Sequence, residues 1–279
     1  LLAGIGEKYM PHIKQKNHLQ YITFENLEKT NMVNHCFTTR LGGVSQGVYA
    51  QLNLSFTRGE EREKVLQNYH ILCDTLGFDF NSFVLCHQTH TTNIRVVTEQ
   101  DRGMGVTKQS TIKDTDALIT NIPNIQLVAF SADCTPIFLL DTNKKAIAVI
   151  HAGWRGTVNS IAKKTIEKMT QTYGTNPKDI IAGIGPCIGQ CCFQVDQPVV
   201  EEFQKKLSFA EDVIMPDTVA EKYKIDLWET NRRILIESGV PNTQIEICKI
   251  CTMCHPQLFY SHRVMGNARG NMAVIIALN

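Results

Sequence analysis

Apolar residues recur at helical spacing in three stretches of the chain. From Glu60 to Leu76, Val65, Leu66, Tyr69, Leu72, Cys73 and Leu76 form one face, and Gly77 stops the pattern. From Thr157 to Tyr173, Val158, Ile161, Ala162, Ile166 and Met169 point one way and Lys163, Lys164 and Lys168 the other, with Gly174 and Pro177 at the end. Leu227 to Ser238 repeats the period and closes on Gly239 and Pro241. Between these helices lie short apolar runs of strand length: Phe83–Leu85, Ile94–Val97, Gln126–Phe130, Ile137–Leu140, Ala146–Ile150, Ile180–Ile184, Ile245–Ile247 and Met272–Leu278. The turn-forming Asp141-Thr142-Asn143-Lys144 separates two of them, which predicts an antiparallel hairpin. A regular βαβ alternation is missing. The expected fold is α+β: one layered domain over residues 1–279 with mixed sheets flanked by helices, and disorder at its first few residues.

Reactive side chains fall where these runs end. Cys86-His87-Gln88-Thr89-His90 follows one, Ser131-Ala132-Asp133-Cys134 precedes another, and His151-Ala152-Gly153-Trp154-Arg155-Gly156 follows the second arm of the hairpin. Cys134 comes just before one arm and His151 just after its antiparallel partner, so both belong to the same end of the pair. With His90 they make the three-ligand His/Cys/His set of a catalytic zinc site, whose fourth position is left for water or substrate. Each residue on its own is equally compatible with a buried thiol or a hydrogen-bonded imidazole. Arg155 stands in a glycine-flanked turn at a helix start, a place that suits phosphate. Arg40 lies beside Gly42-Gly43, and Arg263 follows His262 near the last strand; these three arginines are the candidate anion binders.

Charge narrows the function. With 28 Lys+Arg against 27 Asp+Glu, the formal net charge is +1, too little basic excess to grip a polyanion, so nucleic acid is not an expected partner. No apolar run is long enough to span a bilayer, so no membrane association is expected. Leu1–Lys8 carries no visible secretory signal, and the expected location is cytoplasmic. Ten cysteines show no disulfide-scaffold spacing and read as reduced, mostly buried residues. Two motifs are discounted. Gly183-Ile184-Gly185-Pro186-Cys187-Ile188-Gly189 has its third glycine one position late for a dinucleotide loop. Cys251-Thr252-Met253-Cys254-His255 matches a haem-attachment pattern and, with Cys248, hints at a thiolate site. No second cysteine pair stands at finger spacing, so buried cysteines are the expected account.

Taken in order, Thr39-Arg40-Leu41-Gly42-Gly43-Val44-Ser45 with Leu52-Asn53-Leu54, Gln88-Thr89-His90, Asp114-Thr115-Asp116-Ala117-Leu118, Ala132-Asp133-Cys134-Thr135-Pro136, His151 to Thr157, Gly185 to Gly189, Cys251-Thr252 and Phe259-Tyr260-Ser261-His262-Arg263 carry a resemblance. The chain resembles the bacterial YfiH/YlmD-like proteins, long labelled multicopper polyphenol oxidases or laccases, and is similar to the human laccase-domain-containing protein. The resemblance implies metal ligands at His90, Cys134 and His151, and a fold similar to that of a toxin deamidase. It also implies a zinc enzyme that phosphorolyses adenosine, inosine, guanosine or methylthioadenosine and deaminates adenosine. In that reading Arg40, Arg155 and Arg263 hold phosphate, Asp133 carries a proton, and the partners are a purine nucleoside and phosphate, with the chain a monomer or homodimer. Alternatives are a copper-containing polyphenol oxidase, a Cys134/His151 amidase-type hydrolase in peptidoglycan-precursor editing, and a metal-binding scaffold without turnover. Departures from the family pattern at Thr91, at Cys192-Phe193-Gln194-Val195 and at Gly270-Asn271 bear on substrate preference, and Arg269 is placed to substitute for an arginine usual at Asn271.

Overall fold

A computed structural model describes residues 13–279; the segment expected to be disordered lies outside them. Two six-stranded mixed sheets form the centre. In strand order the first contains Ile13–Lys16, Leu19–Ile22, Val33–Thr38, Met272–Leu278, Gln126–Ser131 and Phe83–Leu85; the second contains Ile245–Ile247, Ile180–Ile184, Thr135–Asp141, Ala146–Ala152, Ala117–Thr120 and Ile94–Val96. The expected hairpin is present: Thr135–Asp141 and Ala146–Ala152 pair antiparallel with Ile137 opposite Ile150. Its turn is fastened by Asp141, whose Oδ1 accepts from the backbone N–H groups of Asn143 and Lys144, each at 2.9 Å.

Alternation along the strands sets the layers. Phe138, Leu140, Ile147 and Val149 face Leu127, Ala129, Val274 and Ile276 of the other sheet in a shared core. Their neighbours Ile137, Leu139, Ala146, Ala148 and Ile150 face outward, onto Ile161, Ile166 and Met169 of helix Ile161–Tyr173 and Ile234 and Leu235 of helix Leu227–Glu237. On the far side of the first sheet, Val128, Ala273 and Ile275 pack on Val65, Tyr69 and Leu72 of helix Arg62–Leu76. The order is therefore helix, sheet, sheet, helix, the mixed α+β arrangement expected. Strands covered on both faces must be apolar throughout, which is why they read as unbroken runs.

Some details differ from the sequence expectation. The helix expected over Thr157–Tyr173 is two, Trp154–Val158 and Ile161–Tyr173, because Ser160 adopts the left-handed conformation at φ 56° between them. A small third sheet, Gln194–Asp196, Lys222–Ile225 and Ile214–Pro216, was not foreseen, nor was helix Gln197–Lys206. The Gly183–Gly189 segment serves close packing: a Cβ on Gly183 would lie 2.8 Å from the Phe24 ring, and one on Gly189 would lie 2.9 Å from Trp228.

Candidate active site

Two of the three candidate ligands sit where the chain crosses from one sheet to the other. His90 lies between Phe83–Leu85 of the first sheet and Ile94–Val96 of the second; Cys134 lies between Gln126–Ser131 and Thr135–Asp141. Phe83–Leu85 and Gln126–Ser131 run parallel as neighbours, so both crossings leave from the same end. His151, near the end of Ala146–Ala152, is opposite Pro136 and completes the group. The ligand atoms of His90, Cys134 and His151 all lie within 4.8 Å of one another. The two imidazole rings meet edge to face, with centroids 4.9 Å apart.

Asp116 orients this group, and no role had been read for it from sequence beyond its place in the Asp114–Leu118 motif. Fully buried, it holds His151 Nδ1 at 2.8 Å through Oδ1 and accepts from the backbone N–H groups of His90 (3.1 Å) and Thr91 (2.7 Å). Thr91 adds its hydroxyl at 2.8 Å. Burial alone would raise the Asp116 carboxyl; the hydrogen bond and charge of His151 and the donors from Thr91 outweigh it, bringing the group to about 2. For His151 burial pulls the other way from its partners, and Cys134 and Asp116 together raise it to about 9. Partial desolvation beside the two cavities and the neighbouring His151 lower His90, although the residue as a whole stays exposed. With Nδ1 committed to Asp116, His151 offers Nε2 to a ligand, the carboxylate–histidine arrangement that fixes metal-binding imidazoles.

Gly153 is packed against the group. Its missing side chain is what lets the imidazole of His90 come close: a Cβ there would lie 2.6 Å from His90 Nδ1 and 3.2 Å from Cys134 Sγ. Backbone strain gathers here as well, since His90 (φ 63°) and Asp133 (φ 84°) both adopt the left-handed region without being glycine.

Two cavities, of about 590 and 560 Å³, open on either side of this point, and both are lined by Arg58, His90, Ala132, Cys134 and Arg269. The first also takes in His151, Phe56, Phe130 and Asn271; the second includes Trp154, Arg155, Phe193, Asp133 and Arg263. Arg269 is buried, and its burial followed by repulsion from Arg58 lowers it to about 10. It donates to the side chain of Asn271 and to the carbonyl of Gly270. Among the described residues, the buried Nε atoms of Arg58 and Arg269 have no hydrogen-bond partner. Neither arginine was among the phosphate candidates chosen from sequence.

The three chosen arginines separate in space. Arg155 is exposed, lies over the Trp154 ring and lines the second cavity. Arg263 lines it too, with its guanidinium on the Gln194 carbonyl at 3.2 Å. Arg40 stands apart, donating to the carbonyls of Ala50 (2.7 Å) and Pro256 (3.0 Å) and lying over Tyr260, so it ties loops together. Asp133 borders the site with its carboxylate engaged by Thr252 Oγ1 (2.6 Å), Ser261 Oγ (3.0 Å) and the Arg263 N–H (2.7 Å).

Comparison with known proteins agrees with this architecture. The family model described as multi-copper polyphenol oxidoreductase laccase matches residues 34–279. The chain belongs to that family. It is 37% identical over 243 residues to the purine nucleoside phosphorylase YlmD of Bacillus subtilis, covering 87% of each chain. It is 34% identical over 249 residues to adenosine deaminase RL5 from an unknown prokaryotic organism, covering 88% of this chain and 95% of that one. The crystal structure of YfiH from Bacillus licheniformis superposes with a TM-score of 0.89 at 33% identity, over 96% of this chain and 99% of that one. The family's description refers to copper and the relatives' names to purine nucleosides, so the donor set and the cavities must decide between them.

Proposed function

We propose that this protein is a zinc-dependent purine nucleoside phosphorylase acting on adenosine, inosine, guanosine and methylthioadenosine, with adenosine deaminase activity, in the cytoplasm. The observation that carries this reading is the junction: one His/Cys/His group shared by two cavities, with two guanidinium groups at the shared wall whose Nε atoms are unpartnered. A reaction between a nucleoside and phosphate needs two adjoining volumes that meet at one point, and an anion site beside it. The names of the relatives supply the substrate class.

The donors fit zinc. One thiolate and two imidazoles within 4.8 Å match a catalytic site with three protein ligands, and His151 has the outer carboxylate such ligands use. Bound zinc supplies Lewis acidity at the junction. The chain's own groups do the rest. Arg58 and Arg269 hold phosphate with a planar, charge-assisted geometry, and burial strengthens that grip because the site is poorly screened. A phosphate oxygen attacks C1′ as the bond from C1′ to the base nitrogen breaks, and the departing base takes a proton from solvent. Arg155 and Arg263 stand at the mouth of the second cavity, where they favour an anionic substrate. Asp133, with its acceptors engaged, holds the loop of Cys134 in its left-handed turn and is a positioning residue.

The test is chromatographic identification of products from adenosine and from inosine, each with and without phosphate, using Cys134→Ala as control. Free base with ribose 1-phosphate, dependent on phosphate and on Cys134, is the expected result, together with inosine from adenosine in the absence of phosphate. Absence of both products with the zinc-loaded protein would overturn the reading.

A further inference from the structure

Four cysteines that the sequence left as packing residues come together in a second cluster. Cys191 and Cys192 lie just after Gly189, Cys251 and Cys254 some sixty positions later, and all four Sγ atoms are within 4.8 Å of one another. Cys254 Sγ is 3.6 Å from that of Cys191 and 3.4 Å from that of Cys192. Zinc–sulfur bonds of about 2.3 Å in a tetrahedron separate the sulfurs by roughly 3.8 Å, so these two spacings, with the others under 4.8 Å, fit four thiolates around one ion. All four are free thiols, with no disulfide joining any of them. The expectation that the thiols are only buried filler fails here, since Cys191 and Cys254 are exposed.

The backbone is shaped for the cluster. Cys192 and Phe193 both donate their N–H to the Gly189 carbonyl, at 2.9 and 2.8 Å, in a tight turn that aims consecutive cysteines at one point. The Gly189 N–H donates to Cys251 Sγ at 3.2 Å, the kind of bond that supports a metal-bound thiolate. Gly189 also makes room, because a Cβ there would stand 3.2 Å from Cys191 Sγ. The two loops are already in register: the backbones of Cys187 and Cys251 pair as an isolated parallel β-bridge, and the Thr252 N–H donates to the Cys187 carbonyl at 3.0 Å.

We propose that Cys191, Cys192, Cys251 and Cys254 bind one structural zinc ion, in a site distinct from the His90/Cys134/His151 group. Each thiol that binds gives up its proton to solvent. With four protein ligands the coordination is closed, so the ion fastens and does not react. What it fastens is the wall of the second cavity. Thr252, next to Cys251, holds the Asp133 carboxylate, and the carbonyl of Gln194, two positions after Cys192, holds Arg263.

Elemental analysis joined to native mass spectrometry of the zinc-grown full chain tests this. Cys134→Ala is expected to keep one zinc ion per chain. Cys251→Ser with Cys254→Ser is expected to lose one ion relative to wild type and to melt at lower temperature. Replacing zinc by Co²⁺ in the Cys134→Ala protein should give the strong thiolate-to-metal absorption of a sulfur-rich tetrahedral site. A Cys134→Ala chain that folds yet carries no zinc, or an intact mass showing a disulfide among the four cysteines, would overturn the proposal.

Discussion

Gly153→Ala separates metal binding from folding. Gly153 has φ −61° and ψ 164°, a conformation open to alanine, so the substitution strains nothing in the backbone. By restricting the unfolded chain it should even stabilise the metal-free protein slightly, by about 0.4–1 kcal/mol. The new Cβ, however, would lie 2.6 Å from His90 Nδ1 and 3.1 Å from its Cε1. Ordinary contact is about 3.5 Å, so the imidazole must withdraw by roughly 0.9 Å. His90 is exposed, and its ring can swing outward at little cost to the fold. A metal bond tolerates only about 0.2 Å, so the same displacement removes His90 from coordination. Loss of outer-shell support alone costs 10–100-fold in affinity; losing a ligand should cost at least about 100-fold. Chelator competition, scored on the class of site that Cys134→Ala abolishes, measures the affinity, and thermal scans with and without zinc measure the fold. The expected pattern is an unchanged or slightly raised metal-free Tm with a much reduced zinc-dependent gain. Wild-type zinc affinity in Gly153→Ala would refute the placement of His90 as a ligand.

Asp116→Asn removes the carboxylate that holds His151 Nδ1 at 2.8 Å and should weaken zinc binding by about 10–100-fold, read by the same competition; undiminished affinity would count against an orienting role. Arg269→Met should raise KM for phosphate at least about tenfold while moving KM for inosine far less, since it deletes one charge-assisted contact; an equal rise in both constants would assign Arg269 to general shaping of the cavity. His35 is buried, accepts from the Phe24 N–H at 2.9 Å, and is lowered by burial from 6.5 to about 4. The unfolded chain therefore binds a proton that the folded one refuses between pH 6.5 and 4, and stability falls as pH drops through that window. The lead of wild type over His35→Gln in urea unfolding should narrow by about 3 kcal/mol from pH 7 to pH 4, and a constant lead would refute the assignment.

The parts of the fold legible in the sequence are those where burial is uniform. Ile180–Ile184, Ile245–Ile247 and Met272–Leu278 have the bounds the apolar runs suggested, and the Asp141–Lys144 turn announced the hairpin that brings Cys134 and His151 to one end. Val33–Thr38 went unread because Asn34 and His35 interrupt its apolar run, although Cys36 and Phe37 are fully buried. The small third sheet is built from strands such as Lys222–Ile225, whose half-buried faces give no sustained pattern. At Ser160 helical periodicity continues on both sides of a break set by one backbone angle. His90 could be nominated as a ligand from its chemistry, but its arrival beside Cys134 depends on Phe83–Leu85 pairing with Gln126–Ser131, a contact between segments some forty positions apart. The four-cysteine cluster lay further out of reach for the same reason. Each pair is unremarkable alone, and only the turn after Gly189 and the backbone pairing of Cys187 with Cys251 set the pairs face to face.

The donor chemistry also bears on the copper in the family's description. An oxygen-reducing multicopper centre distributes several ions over many imidazoles. This chain has nine histidines, yet among the described residues only His90 and His151 converge with a third ligand, and the other converging group is entirely thiolate. A two-nitrogen, one-sulfur set with room for a fourth ligand suits one ion doing Lewis-acid work, whereas a four-sulfur set suits an ion that holds loops together. The two groups should therefore fail independently. Cys134→Ala should abolish phosphorolysis and leave the cobalt spectrum of the four-cysteine site intact, while Cys254→Ser should erase that spectrum and affect turnover only through the loosened Asp133 and Arg263 wall. Loss of both metals on mutation of either group would instead mean that the chain binds its ions as one coupled cluster, and the division of labour between the groups would fall.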